Sequence, residues 1–234
     1  MSRRRKIHFV LWILICGTVP GLTAQYRNPV RTHGFGMAAC AGRALLPQDF
    51  SDVARISWGG CFCYRLYLSR KTDMSVDITY QPFHYDRSYV DEEVAARAPQ
   101  PASVTSFRGG TQHFILAGLR LRHAVPVSAS SDMLLSAGGG YCFHMPEDIH
   151  ADMTVGGFES EISFHTGGMH RPYVDTGFGF EHAIGVRTSL FIEGRAYLVL
   201  NKSISLWHPE SGRMEKSAGV VFFSSLFIGM AFNF

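Results

Sequence analysis

The chain has 234 residues, of which 46% are hydrophobic, 13% aromatic and 18% charged, and its formal net charge at pH 7 is +3. Four of its cations lie at residues 3–6, and without them the rest of the chain carries a net charge of −1. This balance excludes a broadly basic surface, so we expect no nucleic-acid partner.

Residues 1–24, MSRRRKIHFVLWILICGTVPGLTA, have the three parts of a secretory signal peptide: a basic start, a short apolar run at 7–15 and small residues before Gln25. The alternative is a buried or membrane-spanning helix. The apolar run is well short of the roughly 20 residues that a spanning helix needs. We therefore expect a cleaved leader that exports the protein. Because no repeat or linker divides the rest, we expect one domain over residues 25–234.

The chain after the leader divides into eight segments of roughly ten residues in which apolar residues alternate with other residues. They span residues 33–43, 56–68, 73–85, 111–123, 131–143, 171–182, 187–200 and 222–234. The links at 69–72, 124–130 and 183–186 are short, whereas the other links are long and rich in Pro, Gly, His and acidic residues. This layout predicts an all-β, eight-stranded antiparallel up-and-down transmembrane β-barrel. A secreted β-sandwich has no reason to place every long loop at one end.

Alternation also sorts the charges onto one face of each segment. In the second segment, Trp58, Phe62 and Tyr64 share one face, while Cys61 and Arg65 lie on the other. Every charge in the middle of a segment falls on the less apolar face in the same way. Period 2 therefore predicts a lipid-facing wall and a polar interior.

We expect the inward charges to pair, because hairpin strands bring such side chains opposite each other. Across the short links, Arg65 is expected to face Asp77, and Arg122 to face Asp132. Arg195 is expected opposite or diagonal to Asp175, and Arg120 within reach of Asp77. The predicted lumen network comprises Arg65, Asp77, Arg120, Arg122, Asp132, Asp175, Glu181, Glu193 and Arg195.

The network is expected to plug the barrel. The interior of an eight-stranded barrel is only wide enough for side chains to fill, and a buried charge without a partner costs several kcal/mol. The alternative is a lumen that conducts ions, with the same charges lining a narrow pore.

Two stretches carry a resemblance to a known family: RPYVDTGFGFEHAIGVRTSLFIEGRAYLVLN at 171–201 and the terminal LFIGMAFNF. They resemble the OmpA-type, or porin-family, outer-membrane β-barrel domain, and the stretch at 56–85 is similar to a hairpin of the small barrels grouped as PorT-like. The resemblance implies a cell outer-membrane location in contact with lipid. It also implies a C-terminal signal that is read by the barrel-assembly machinery. The matching residues are Leu226, Ile228, Met230, Phe232 and Phe234.

Four cysteines follow the leader, and by parity all of them face the interior. Closing the 44–55 loop brings Cys40 across from Cys61 or Cys63, and export to an oxidising compartment permits a disulfide there. The alternative is that these residues and Cys142 are small buried thiols. We expect no metal at Cys61 and Cys63, because the C-x-C spacing is shorter than zinc sites use.

Histidines gather in and near the long links. They are His84, His113, His144, His150, His165 and His170. The alternative is a surface metal or haem site, but these residues do not show the helical spacing of a ligand set. We therefore expect ordinary solvated histidines, with no metal and no cofactor.

The expected function is that of a small monomeric outer-membrane protein with a structural or interaction role. The loops at 86–110 and 144–170 are long enough to dock an extracellular or secretion-system protein. One alternative is a narrow transport pore, and the other is an enzyme that modifies lipid A. An esterase needs a serine beside a histidine and an acid, and no nucleophile elbow is present in the sequence. We therefore predict no catalytic residue and no enzyme.

Overall fold

The computed structural model describes residues 32–47, 50–51, 54, 56–86, 88, 102–155, 157–164, 167–200, 203–208, 213–218 and 220–234. The predicted leader at 1–24 and His165 lie outside these residues. Within the described ranges, no helix is long and apolar enough to cross a membrane.

Thirteen strands form within the described residues. They are β1 (His33–Leu46), β2 (Ser57–Tyr67), β3 (Thr72–Phe83), β4 (Ala102–Gly109), β5 (Gln112–Pro126), β6 (Ser131–Pro146), β7 (Ile149–Val155), β8 (Phe158–Phe164), β9 (Met169–Ala183), β10 (Thr188–Val199), β11 (Ser203–His208), β12 (Arg213–Ala218) and β13 (Val221–Asn233).

Eight of these strands close into an antiparallel barrel in the order β1-β13-β10-β9-β6-β5-β3-β2. Each of the eight predicted segments overlaps one barrel strand, and the predicted fold is confirmed. Tight turns at 68–71, 127–130 and 184–187 lie at one end of the barrel, here called the short-turn end. All the longer connections lie at the other end, called the long-loop end.

The strands are staggered around the barrel. Following the hydrogen-bonded partners once around from Gly34 returns to β1 at Ala44, ten residues further along the strand. A closed sheet needs such a shift, and the shift tilts the strands against the barrel axis. Side chains at one height in the lumen are therefore not simple register partners.

The barrel closes where β1 pairs with β13. The last residue is held there by backbone hydrogen bonds, from Phe234 N to His33 O at 2.8 Å and from Thr32 N to Phe234 O at 2.9 Å. The Phe234 ring stacks on His33, and Phe232 stacks on Phe35. The C-terminal aromatic residue is thus a fixed part of the wall.

The two faces of the wall differ as alternation predicts. Trp58 is 75% exposed and Ile228 is 61% exposed on the outside, whereas Arg65 and Glu193 are fully buried on the inside. The other large exposed side chains of the barrel strands include Met37, Phe62, Tyr64, Val76, Ile78, Leu119, Leu121, Leu135, Tyr141, Val174, Phe178, Ile192, Leu226 and Met230. The barrel is therefore apolar outside and charged inside.

The long links contain structure that the sequence reading missed. Strands β4, β7 and β8 form a three-stranded sheet, and β11 pairs with β12. These stretches were predicted as loops, because short strands with mixed composition carry a weak alternation signal. The long-loop end therefore carries ordered sheet beyond the barrel.

Candidate functional site

The inward side chains form three groups along the lumen. The lower layer, nearest the short-turn end, contains Arg65, Asp73, Arg122 and Glu181. The middle layer contains Asp77, Arg120, Asp175, Glu193 and Arg195. The aromatic cap, nearest the long-loop end, contains Phe50, Phe83, Phe114, Tyr197 and Phe223. All of these side chains are buried.

The lower layer consists of two arginines and two carboxylates in contact, and Arg122 Nη2 also lies 3.8 Å from Glu181 Oε2. Arg122 donates from Nε and Nη2 to the two oxygens of Asp73, both at 2.9 Å, which is a bidentate pair. Arg65 donates from Nη1 to Glu181 Oε2 at 3.0 Å. Ser189 Oγ donates to the other oxygen of Glu181 at 2.5 Å. Two cations and two anions thus balance in this layer.

Arg120 is the centre of the middle layer, because it contacts three carboxylates. Its Nε lies 3.1 Å from Asp77 Oδ2, its Nη2 lies 3.0 Å from Asp175 Oδ2 and its Nη1 lies 3.4 Å from Glu193 Oε1. These acids come from β3, β9 and β10, so one guanidinium joins strands on different sides of the barrel. The planar fork of arginine suits such multiple contacts.

Arg195 completes the middle layer from β10. Its Nη1 lies 3.1 Å from Asp77 Oδ2 and its Nη2 lies 2.8 Å from Glu193 Oε2. Its guanidinium also lies over the Phe227 ring, 4.2 Å from the centroid, which is a cation–π contact. Asp77 therefore shares a single oxygen between two arginines.

Two inward glycines leave the room that these acids need. A Cβ atom at Gly177 would lie 2.6 Å from Glu193 Oε1, and one at Gly138 would lie 3.1 Å from Asp175 Oδ1. Both distances are at or below the tight limit for a carbon atom in a packed interior. The carboxylates of the middle layer therefore depend on small residues in the opposing strands.

The aromatic cap closes the lumen below the long loops. Phe83, Phe114 and Phe223 lie 5.5 to 5.7 Å from one another between ring centroids. Phe50 enters from the link between β1 and β2 and packs on Phe83 at 5.5 Å. Offset and edge-on ring pairs at these distances are favourable and exclude water. The cap was not predicted.

The opposite end of the lumen contains a small pocket of ≈ 40 Å³. Asp132 lines it together with Tyr67, Arg70 and Lys71. The space is comparable to that of one or two water molecules. Asp132 thus lies near the mouth, as expected.

Several predicted ion pairs have different partners in the structure. Arg65 faces Ser75 and contacts Glu181, so its predicted pairing with Asp77 is wrong. Arg122 faces Ser136 on one side and contacts Asp73, so its predicted pairing with Asp132 is wrong as well. In both hairpins the predicted register differs from the observed one by an even number of residues. Such a shift leaves each arginine on the inner face but changes the residue that lies opposite it.

The remaining predicted pairs are closer to the structure. The contact between Arg120 and Asp77 is present. Asp175 is diagonal to Arg195, as expected, but Arg195 uses its donors on Asp77 and Glu193. Asp73 is a member of the network that the sequence reading missed. Asp73 and Asp77 are separated by an even number of residues on β3, so they share a face. This spacing could have predicted that Asp73 belongs to the network.

Cys40, Cys61, Cys63 and Cys142 are buried free thiols in the structure. This corresponds to the second of the two alternatives, in which small thiols fill the interior and no disulfide forms. Cys40 is paired in register with Gly59, whereas Cys61 and Cys63 face Ala38 and Gly36. Cys40 Sγ lies 3.2 Å from Gln81 Oε1. The inward direction predicted for the cysteines is therefore correct, but Cys40 is not directly across from either candidate partner.

The described histidines have separate surroundings. His144 stacks on Phe114 beside the aromatic cap and contacts Gln112 Oε1 at 2.6 Å. His113 contacts Glu147 at 3.2 Å. Hydrogen bonds from Thr111 and His113 lower the pKa of Glu147, which lies outside the barrel strands. In the parts of the chain that are described, no three His, Cys, Asp or Glu side chains converge as a metal-ligand group.

The barrel resembles several solved structures distantly. No protein-family model matches the chain, and no curated protein does. Neisserial surface protein A is similar at 14% identity and a TM-score of 0.48, over 86% of this chain and 97% of that one. Ail, the attachment invasion locus protein of Yersinia pestis, is similar at 7% identity and a TM-score of 0.44, over 87% and 99% of the chains. Likenesses this distant say nothing about activity, and the finer resemblance to OmpA-type or PorT-like barrels stays a prediction.

A third similar structure corrects one expectation. The outer membrane protease OmpT of Escherichia coli matches at 12% identity and a TM-score of 0.36, over 86% of this chain and 96% of that one. The prediction that the chain is not an enzyme is therefore withdrawn, because the structures that this barrel matches include a protease. At this distance the match supports no catalytic role either.

Proposed function

We propose that the protein is an integral outer-membrane β-barrel with a closed lumen, which acts through the structured long-loop end. The observation that carries the proposal is the polarity of the barrel, which is the reverse of that of a soluble protein. Large apolar side chains cover the outside of the barrel, and charged side chains are buried inside it. Contiguous apolar surface of this extent is costly in water, whereas lipid-facing strands alternate apolar-out and polar-in.

The lumen is filled along its length by three groups of side chains. The lower layer, the middle layer and the aromatic cap each close the cross-section with buried contacts. Because the ion pairs are mutual, an entering ion would have to displace arginine–carboxylate contacts in a medium of low dielectric constant. This packing supports a barrier and argues against a permanent pore.

Conductance measurements test the closed lumen. We expect the purified, refolded barrel to give no stable single-channel steps in a planar bilayer, because the buried side chains of the three groups fill the lumen of the described barrel. A known pore-forming barrel in the same bilayer is the control. Reproducible steps of uniform size from this protein would contradict the closed lumen and favour transport.

The interaction role is assigned to the sheet formed by β4, β7 and β8. This sheet extends beyond the barrel, and Phe158 on β8 is 81% exposed. Long connections with their own structure are commonly functional. An extracellular or secretion-system protein would be reached from this end, while the wall stays in lipid.

Site-specific photocross-linking in intact cells tests this role. We expect a photoreactive residue in place of Phe158 to give a discrete cross-linked protein–protein complex, because this side chain projects from the sheet of β4, β7 and β8. The matched control is Phe178, which is 50% exposed on the barrel wall and is expected to cross-link lipid. No product at Phe158 beyond that at Phe178 would restrict the protein to a structural role.

The last strand also supports a role in assembly. Leu226, Ile228, Met230 and Phe234 are exposed on the wall, and Phe232 is half-buried beside Phe35. They lie at the seam where the barrel closes. A terminal stripe in this position is accessible to the barrel-assembly machinery before β1 pairs with it.

A further inference from the structure

The middle layer contains an excess of negative charge. The lower layer has two arginines and two carboxylates, but the middle layer has two arginines, Arg120 and Arg195, and three carboxylates, Asp77, Asp175 and Glu193. Within the described part of the lumen, the middle layer therefore carries one negative charge that no guanidinium balances.

This excess charge is enclosed. The side chain of Asp175 is 1% exposed, that of Asp77 is 5% exposed and that of Glu193 is fully buried. The aromatic cap lies on one side of the layer and the balanced lower layer lies on the other. A buried charge without compensation is strongly unfavourable, because the surrounding protein cannot replace water.

Unpartnered oxygen atoms lie in the same layer. Asp77 and Asp175 each present Oδ2 to Arg120, and the Oδ1 atom of each is buried without a hydrogen-bond partner among the described residues. Buried polar atoms of this kind usually mark a water molecule or an ion.

We propose that the middle layer binds one monovalent metal cation of the sodium class at the Oδ1 atoms of Asp77 and Asp175. Hard cations take carboxylate oxygens as ligands, and the excess of one negative charge matches one positive charge. The set consists of two carboxylates, unlike the three convergent His, Cys or acidic side chains typical of transition-metal sites. The site goes beyond the proposed loop function, since it depends only on the lumen.

Stability in different salts tests the site. The purified barrel in detergent is unfolded at fixed pH and fixed ionic strength while sodium chloride replaces choline chloride. We expect the unfolding midpoint to rise with sodium and to saturate, because a ligand bound only to the folded state stabilises it by mass action. An equal midpoint in sodium and choline would overturn the proposal.

Two variants locate the effect. Asp175→Asn leaves two carboxylates with two arginines, so we expect the sodium dependence to be lost. Asp132→Asn removes a carboxylate at the short-turn mouth, and we expect that variant to keep the dependence. Sodium dependence that persists in Asp175→Asn would overturn the site, as would a wild-type protein that is stabilised by acid and insensitive to sodium, because a proton would then balance the charge.

A diffraction measurement does not depend on the folding of a variant. In crystals of the wild-type barrel grown in sodium chloride, we expect a difference-density peak between Asp77 and Asp175 inside the lumen, which crystals grown in choline chloride lack. Absence of that peak in a well-ordered lumen would overturn the proposal.

Discussion

Arg120→Ala is expected to destabilise the barrel by about 3–5 kcal/mol, since breaking a buried ion pair leaves uncompensated charge in the interior. The arginine contacts Asp77, Asp175 and Glu193. Its removal leaves three carboxylates with Arg195 as the remaining cation of the middle layer. Because folding free energies are typically about 5–15 kcal/mol, the variant is expected to be close to the limit of folding.

Urea unfolding of refolded protein, followed by tryptophan fluorescence, measures this loss. Arg187→Ala is the matched control, because Arg187 is exposed in a short turn and surface changes usually stay within about 0.5 kcal/mol. Arg120→Lys is expected to lie between these two, since one ammonium group cannot reach three carboxylates as a guanidinium does. A loss for Arg120→Ala no larger than that for Arg187→Ala would refute a structural role for the network.

Ile228→Arg is expected to destabilise the barrel in lipid by about 2–4 kcal/mol, because charge on the lipid face is most costly near the bilayer midplane. Ile228 is 61% exposed on β13 and pairs in register with Ala39 and Ile192, well inside the wall. Unfolding free energies measured in lipid vesicles give the magnitude, and outer-membrane levels in cells report the effect on insertion.

Leu200→Arg is the matched control for depth. Leu200 is 47% exposed and follows β10 at the long-loop end of the wall. Near the interface the same substitution is expected to cost about 0–1 kcal/mol, since the guanidinium reaches water or headgroups. Equal losses at the two positions would show that the outer surface does not lie across a bilayer.

The alternation of single residues was enough to predict the eight barrel strands and the direction of almost every side chain. Trp58, Ile228 and Phe178 face outward and Arg65, Asp77 and Arg195 face inward, as the period of 2 requires. The ion-pair partners of the inward charges were harder to predict. Hairpin turns can shift by two residues without changing which face is buried, so Arg65 and Arg122 kept their direction but took other partners.

The aromatic cap and the loop sheets were also beyond the reach of pattern reading. Phe50 lies in a long link, and its position in the sequence carries no sign that its ring enters the barrel. Strands β7 and β8 are seven residues each and lack the clean alternation of the wall. They pair with each other as a hairpin, and β7 also pairs with β4, which lies far away in the chain.

The sequence by itself determined which residues form the barrel strands and which side of each barrel strand meets the interior, because alternation is a local property of an extended backbone. Only the tertiary structure decided which charges meet. The ten-residue stagger and the closure of β1 on β13 bring Arg120 between acids from three other strands. They also leave the middle layer with one carboxylate more than its arginines balance. This charge imbalance arises only when the barrel closes, because the charged side chains of the middle layer come from different strands.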